Sequence, residues 1–314
     1  MPRNKNLFAA GLALFASAVL SFSDNFVAPV SEEAGLWQFQ VVRAAFALPM
    51  VATLALFLGV SIKPKHPGKL LLRSATVSGG LLVYFATLGF LPVAQAGAGL
   101  FSAPIWVMLF SVLLLGKRIG KRRILAMFAG FVGVLMLLQP DFSNLTALSL
   151  LPLVAGALYG LGALVTNYYC QEESAPALAF GVFGFMGVTS LVLLIYFSAF
   201  PVPVENQQFY NRGWECLTGR FLLLTFGQAV GATVAVSVIA QAYRLGEPDF
   251  VSVCEYSFLV FAAIWMFVLW GQWTDLIAQL GIITILAAGV SMFVLDHRAQ
   301  RTWQSANQDK PQSS

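Results

Sequence analysis

The chain has 314 residues, 58% hydrophobic and 10% charged, with 27 Phe, 27 Gly and a mean hydropathy of +0.78. A soluble domain carries about a quarter charged residues, so the composition excludes a disordered protein, a secreted disulfide scaffold and an ordinary cytosolic enzyme. What remains is a polytopic membrane protein. Its net charge of +4 does not point to nucleic acid, because the basic residues sit in short loops beside apolar runs, the pattern of membrane orientation.

A spanning helix needs about 20 apolar residues, and polar breaks divide the chain into ten such runs. In order they are Leu7–Pro29, Trp37–Gly59, Leu70–Phe90, Val93–Leu115, Ile124–Gln139, Leu148–Tyr168, Ala177–Phe200, Phe221–Ala240, Phe250–Trp270 and Leu276–Leu295. Arg3 and Lys5, then Leu7 to Phe15, then Ala16-Ser17-Ala18 resemble a signal peptide. The apolar character continues to Val30, however, so this run reads as a first span. From Asp296 the chain turns polar, and residues 296–314 are expected to form a disordered cytoplasmic tail.

Charge sets the orientation. With the N-terminus inside, the inner loops and termini hold 15 Lys and Arg: Arg3, Lys5, Lys63, Lys65, Lys69, Arg73, Lys117, Arg118, Lys121, Arg122, Arg123, Arg244, Arg298, Arg301 and Lys310. The outer side holds only Arg212 and Arg220. This positive-inside bias predicts a multi-pass inner-membrane protein with both termini cytoplasmic. Cys170, Cys216 and Cys254 show no C-x-x-C spacing, and His66 and His297 fall in polar segments. No metal site, cofactor or histidine proton relay is expected.

Ten spans divide into two fives. The stretch LPVAQAGAGLFSAPIWVMLFSVLLLG ends at Gly116, and EPDFVSVCEYSFLVFAAIWMFVLWG ends at Gly271. A shift of 155 residues brings Ser102 onto Ser257 and Gly116 onto Gly271. An odd number of spans per half makes the second half enter from the opposite side, giving inverted repeats with a site near the midplane. The expected fold is all-α and integral to the membrane: residues 1–147 form the first five-helix repeat and 148–295 the second.

Over nearly its whole length the chain resembles the drug/metabolite transporter superfamily, in its EamA-like ten-helix branch. In the first half the resemblance is carried by YFATLGFLPVAQAGAGLFSAPIWVMLFSVLLLGKRIGKRRILAMFAGFVGVLMLL. In the second it is carried by AQAYRLGEPDFVSVCEYSFLVFAAIWMFVLWGQWTDLIAQLGIITILAAGVSMFVL. The first half follows the family's end-of-repeat pattern, a proline turn and then a helix closing on L-L-G-E. Lys117 stands where that Glu is usual, and Gln272 stands at its second-half counterpart, so no role passes to those two positions. The resemblance implies the architecture but not the cargo, since similar members move amino acids, sugars, vitamins, cations and drugs.

Ionisable groups within lipid cost about 2.5 kcal/mol or more each, and Asp24, Arg43 and Glu255 stand out. Asp24 and Arg43 lie at matching depths, roughly 8–9 Å inside the outer boundary. That suggests an ion pair, serving as an outer gate, as a site for charged ends of a substrate, or only as a static bridge. Glu255 lies about 10 Å into its span with no basic neighbour in sequence. It is read as a proton or ammonium site, with Tyr256 beside it and a bond to Tyr84 or a helix end as the structural alternative.

Gln95, Ser102 and Trp106, with Gly99, recur at helical spacing and form either a pore-lining stripe or a packing seam. Gln228 and Asn167 carry the same ambiguity. Gly156-x-x-x-Gly160 and Gly227-x-x-x-Gly231 read as packing pairs. Tyr84, Trp106, Trp265 and Tyr256 are candidates for an aromatic cage, and Trp37, Trp270 and Trp273 for an interfacial belt. No nucleotide-binding or hydrolase motif occurs.

The expected function is secondary-active transport of a small polar organic metabolite, an amino acid or derivative or a vitamin such as riboflavin. Protons or a counter-substrate would couple it, in a monomer or homodimer embedded in lipid. The alternatives are a quaternary-ammonium, sulfonium or drug transporter, and a non-transporting receptor or structural subunit.

Overall fold

A computed structural model describes residues 5–308 except 89, 142, 144 and 145, with side chains described to residue 295. Among the described residues the chain forms thirteen α-helices and two short 3-10 turns, and no strand. The helices are α1 (Lys5–Asp24), α2 (Val27–Glu33), α3 (Leu36–Phe57), α4 (Pro67–Thr87), α5 (Val93–Leu100), α6 (Ala103–Leu115) and α7 (Lys121–Leu138). The rest are α8 (Leu151–Tyr169), α9 (Ala175–Ala199), α10 (Gly219–Leu245), α11 (Pro248–Cys254), α12 (Ser257–Trp270) and α13 (Leu276–Gln308).

Among the described residues, nine stretches are long and apolar enough to cross a membrane: α1–α2, α3, α4, α5–α6, α8 with its preceding turn, α9, α10, α11–α12 and α13 as far as Leu295. The remaining expected run is α7, 18 residues long. It begins Lys121-Arg122-Arg123, and those charges set it apart from the other nine. Helix α13 does not stop at Leu295: it continues to Gln308, into the segment expected to be a disordered tail. Residues 309–314 lie outside the described residues.

Two of the stretches are broken helices with matching anatomy. Helix α5 gives way to α6 across Phe101 and Ser102, and α11 gives way to α12 across Glu255 and Tyr256. Both close on a glycine in the left-handed region, Gly116 at φ 63° and Gly271 at φ 64°. A side chain would be strained there, which is why a glycine ends each helix.

Four helix pairs share the most extensive contacts: α7 with α13, α4 with α8, α1 with α10, and α3 with α9. Next come α6 with α8, α1 with α12, α3 with α10, α5 with α8 and α4 with α9. Small residues set these approaches. Ala9, Ala13 and Ala16 form a buried row on α1, and a Cβ on Gly231 of α10 would fall 1.6 Å from Ser23 Oγ. A Cβ on Gly133 would lie 2.8 Å from the Gly281 carbonyl, and one on Gly281 2.7 Å from the Gly133 carbonyl. Gly156 and Gly160 are packing residues against α5 and α6, whereas Gly227 has nothing within 4 Å of a Cβ, so the second glycine pair is only half a packing motif.

The outer surface is apolar and the interior is comparatively polar. Phe57, Leu113, Leu223 and Val268 are well exposed, while Ser17, Ser78, Thr225 and Gln228 are buried. In water, exposed apolar area on this scale would be a liability; in lipid it is the solvent-facing side.

Two carboxylates close the bundle ends by meeting helix starts. Buried Glu173 accepts the backbone N–H groups of Lys65 (3.0 Å) and His66 (2.7 Å) just before α4. Glu33 accepts from Thr218, the residue capping α10, and pairs with Arg220 at 3.3 Å. Trp37, expected at an interface, is instead buried, its Nε1 donating to the Tyr210 carbonyl at 2.5 Å.

Candidate functional site

A cavity of about 150 Å³ runs through the middle of the bundle. Residues from α1, α3, α4, α8, α9, α10 and the two helix breaks line it, and the charged ones are Asp24, Arg43, Arg73 and Glu255. That volume matches an engineered apolar cavity that holds benzene. Burial of four ionisable groups around one cavity is expensive in lipid and marks a functional region.

Glu255 sits at the break between α11 and α12, which turns its side chain away from continuous helix. Its oxygens accept hydrogen bonds from Tyr159 Oη at 2.7 Å and from Tyr243 Oη. The joint that places Tyr243 is pinned from two sides. Asn167 Nδ2 donates to the carbonyls of Tyr243 (2.8 Å) and Gly246 (2.9 Å), and Asn6 Oδ1 accepts the Glu247 N–H at 3.0 Å. Asn167 is therefore a positioning residue, and Glu255 bonds two phenols other than Tyr84, the partner named in the structural alternative.

Asp24 and Arg43 face the same cavity, as expected, but do not form an ion pair: no contact within 4 Å joins them among the described residues. Asp24 accepts from Gln228 Nε2 at 3.4 Å. Arg43 donates to Met186 Sδ at 3.6 Å and lies over the rings of Phe39, Phe85 and Phe183 at 5.3–5.8 Å. Aromatic faces and a thioether surround Arg43, whose Nε has no hydrogen-bond partner among the described residues, and the two opposite charges act on each other only at longer range. Tyr84 and Gln228 also line the cavity.

The other expected residues lie elsewhere. Tyr256 is fully buried against Gly130 and Ala288, pointing into the seam with α7 and α13. Gln95 donates to the Asp141 carbonyl at the end of α5. Ser102 donates to the Gly99 carbonyl at 2.6 Å and accepts from Trp106 Nε1 at 3.1 Å, and both side chains abut the α8 glycines. The Gln95–Trp106 series is a packing seam because the helix breaks in its middle, so a 3.6-residue period does not run through it. The aromatic cage does not assemble: of its four members only Tyr84 lines the cavity, and Trp265 donates to the Ala18 carbonyl at 3.1 Å.

Arg73 is the principal residue the sequence reading misplaced. Counted among the inner-loop cations, it is 3% exposed within α4 and lines the cavity. Its Nε donates to Thr166 Oγ1 at 3.1 Å and its Nη1 to the Leu178 carbonyl at 2.7 Å. The available signal was its place inside the Leu70–Phe90 run. Tyr159 and Tyr243 carried no signal, as tyrosines in apolar helices are common and their shared partner is remote in sequence.

These features define a class: a helical membrane protein with a charged central cavity at two helix breaks. Residues 6–139 match the EamA-like transporter family. The chain is 27% identical to a riboflavin transporter of Rhizobium johnstonii over 70% of this chain and 67% of that protein. It is 25% identical to a pseudopaline exporter of Pseudomonas aeruginosa, covering 90% and 94%. An S-adenosylmethionine uptake transporter of Rickettsia felis is 19% identical, covering 93% and 95%. A solved crystal structure superposes with a TM-score of 0.76 at 14% identity, covering 92% of this chain and 98% of that one, a likeness of fold alone. The family match covers the first half of the chain, and these three relatives are each named as transporters or exporters of small molecules.

Proposed function

We propose that the protein is a secondary-active transporter that moves a small polar organic metabolite through the central cavity by alternating access. On this reading α7 is the tenth span, both termini are cytoplasmic, and residues 1–147 and 148–295 are inverted repeats. The pairing of helices supports the repeat. Exchanging the halves converts the α1–α10 contact into α8–α4, α6–α8 into α12–α1, and α3–α10 into α9–α4, while α3–α9 and α7–α13 map onto themselves. The matched breaks and glycine ends of α5–α6 and α11–α12 follow the same exchange. Discontinuous helices at the repeat interface are where transporters of this build bind cargo.

The observation that carries the reading is Glu255 at a helix break, facing the cavity and held by two phenols from α8 and α10. It is the proposed coupling site, for a proton or for the cationic end of substrate or counter-substrate. Riboflavin, pseudopaline and S-adenosylmethionine are cargoes of relatives; a benzene-sized cavity favours a compact cargo or one end of a longer one. The test is counterflow in proteoliposomes loaded with pooled metabolites, comparing wild type with Glu255→Gln. Saturable exchange that the variant loses supports the reading; absence of exchange by folded wild-type protein across the pool overturns it.

A further inference from the structure

No two of the four charged groups of the cavity form an ion pair within 4 Å among the described residues, although Asp24 and Arg43 act on each other at longer range. Glu255 is committed to Tyr159 and Tyr243, Asp24 contacts Gln228, and Arg43 lies among Met186 and three rings. Distance along the helices keeps the like charges separate. Gln228 and Tyr243, which mark the two carboxylates, are fifteen residues apart on α10, about 22 Å. Leu178 and Met186, which mark the two arginines, are eight apart on α9, about 12 Å.

Arg43 leaves a buried Nε without a partner but has Asp24 as its opposite charge, whereas Arg73 has no carboxylate opposite it among the described residues. Its protein acceptors are a threonine hydroxyl and a backbone carbonyl, both neutral, and among the described residues no carboxylate lies within ion-pair distance. Nη2 has no acceptor among the described residues, yet it is not enclosed, and the side chain lines the cavity. Arginine keeps its charge in proteins, and a buried cation without a counter-ion is costly. The two bonds it makes fix the guanidinium plane while leaving a donor edge free. A planar donor edge of that kind matches a carboxylate.

Resting on the transporter reading above, we propose that Arg73 is the substrate's carboxylate-binding residue, so that the cargo is a carboxylate-bearing metabolite. A carboxylate fits better than a phosphate. Two of the guanidinium donors are already engaged, and Glu255 lies just across Tyr159, where a dianion would be repelled. The same neighbour accommodates a cationic group on the cargo, placing the two ends of a zwitterion on either side of Tyr159. Thr166 is a positioning residue, orienting the guanidinium without touching the cargo.

The experiment uses full-length protein in proteoliposomes loaded with a soluble bacterial metabolite extract, with exchanged compounds identified by mass spectrometry. Wild type is compared with Arg73→Met, Arg73→Lys and Thr166→Val, and thermal stability is measured in parallel without added metabolite. Every compound wild type exchanges carries a carboxylate. Arg73→Met lowers that exchange by about thirtyfold or more, with an unfolding temperature no lower than wild type because an uncompensated charge has been removed. Arg73→Lys exchanges at an intermediate level, and Thr166→Val raises KM with little change in maximal rate.

Exchange of compounds lacking a carboxylate overturns the proposal and leaves the transporter reading intact. So does undiminished exchange by Arg73→Met. A destabilised Arg73→Met together with wild-type exchange by Arg73→Lys assigns Arg73 to the scaffold and also overturns it. Failure of wild type to exchange anything overturns the transporter reading, and this proposal with it.

Discussion

Gly156 and Gly227 each open a small-residue pair, but only Gly156 is in a tight contact, and replacing each by alanine separates packing from helix propensity. A Cβ on Gly156 falls 2.5 Å from the Gly99 carbonyl oxygen and 2.7 Å from Ser102 Oγ, against 3.4 Å for ordinary contact, so the seam between α8 and the α5–α6 break must open by about 0.9 Å. Overpacking of this kind costs about 1–3 kcal/mol, against about 0.5–1 kcal/mol gained by replacing a helical glycine. Gly227 has open space around it and keeps only the gain. The net cost for Gly156→Ala is then up to about 2.5 kcal/mol, so at about 2–4 °C per kcal/mol it lowers the apparent unfolding temperature by up to about 10 °C, and Gly227→Ala raises it by about 1–4 °C. The assay is size-exclusion chromatography of detergent-purified protein after stepwise heating. Helix α8 also carries Tyr159, so Gly156→Ala reduces exchange at temperatures where it remains folded. Equal shifts in the same direction for both variants would refute the seam as described.

Three more outcomes follow from the site. Tyr159→Phe and Tyr243→Phe each remove a donor from Glu255, worth about 1.5–3 kcal/mol for a bond to a charged group, and lower counterflow about tenfold or more. Tyr256→Phe, whose hydroxyl faces no acceptor among the described residues, leaves counterflow within about twofold, as expected of an unbonded group; a loss matching that of Tyr243→Phe would return Tyr256 to the site. Trp106→Phe lowers thermal stability by about 1 kcal/mol through the lost bond to Ser102 and leaves substrate KM unchanged, whereas a raised KM would make Trp106 a cavity residue. Glu173→Ala strips two N–H groups at the start of α4 of their acceptor and costs about 1–2 kcal/mol, with Glu173→Gln losing less; unchanged unfolding temperatures in both would remove the capping role.

Glu255 could be read from sequence because a lone carboxylate in an apolar run is conspicuous whatever surrounds it. Arg73 could not, because the positive-inside rule sends basic residues near a span's end to the adjoining loop, and α4 begins at Pro67, ahead of the apolar run. Its burial depends on Thr166 and Leu178, which are distant in sequence. The Gln95–Trp106 stripe failed for a local reason. Helical spacing predicts a shared face only if the helix is continuous, and the break at Phe101 and Ser102 lies in the middle. Asp24 and Arg43 both line the cavity, but matching depth says nothing of azimuth, and rings and a thioether stand around Arg43 where the sequence suggested a carboxylate.

The cavity's two arginines and two carboxylates cancel when both acids are ionised. A charge moved through the whole membrane potential exchanges about 2.3 kcal/mol per 100 mV, so in the proposed alternating-access cycle, cavity charges that sum to zero and shift together by equal amounts contribute almost no voltage dependence. Protonating Glu255 leaves one positive charge in excess. Under that proposed cycle, the voltage sensitivity of the empty protein's reorientation is an electrical readout of whether that single carboxylate carries its proton.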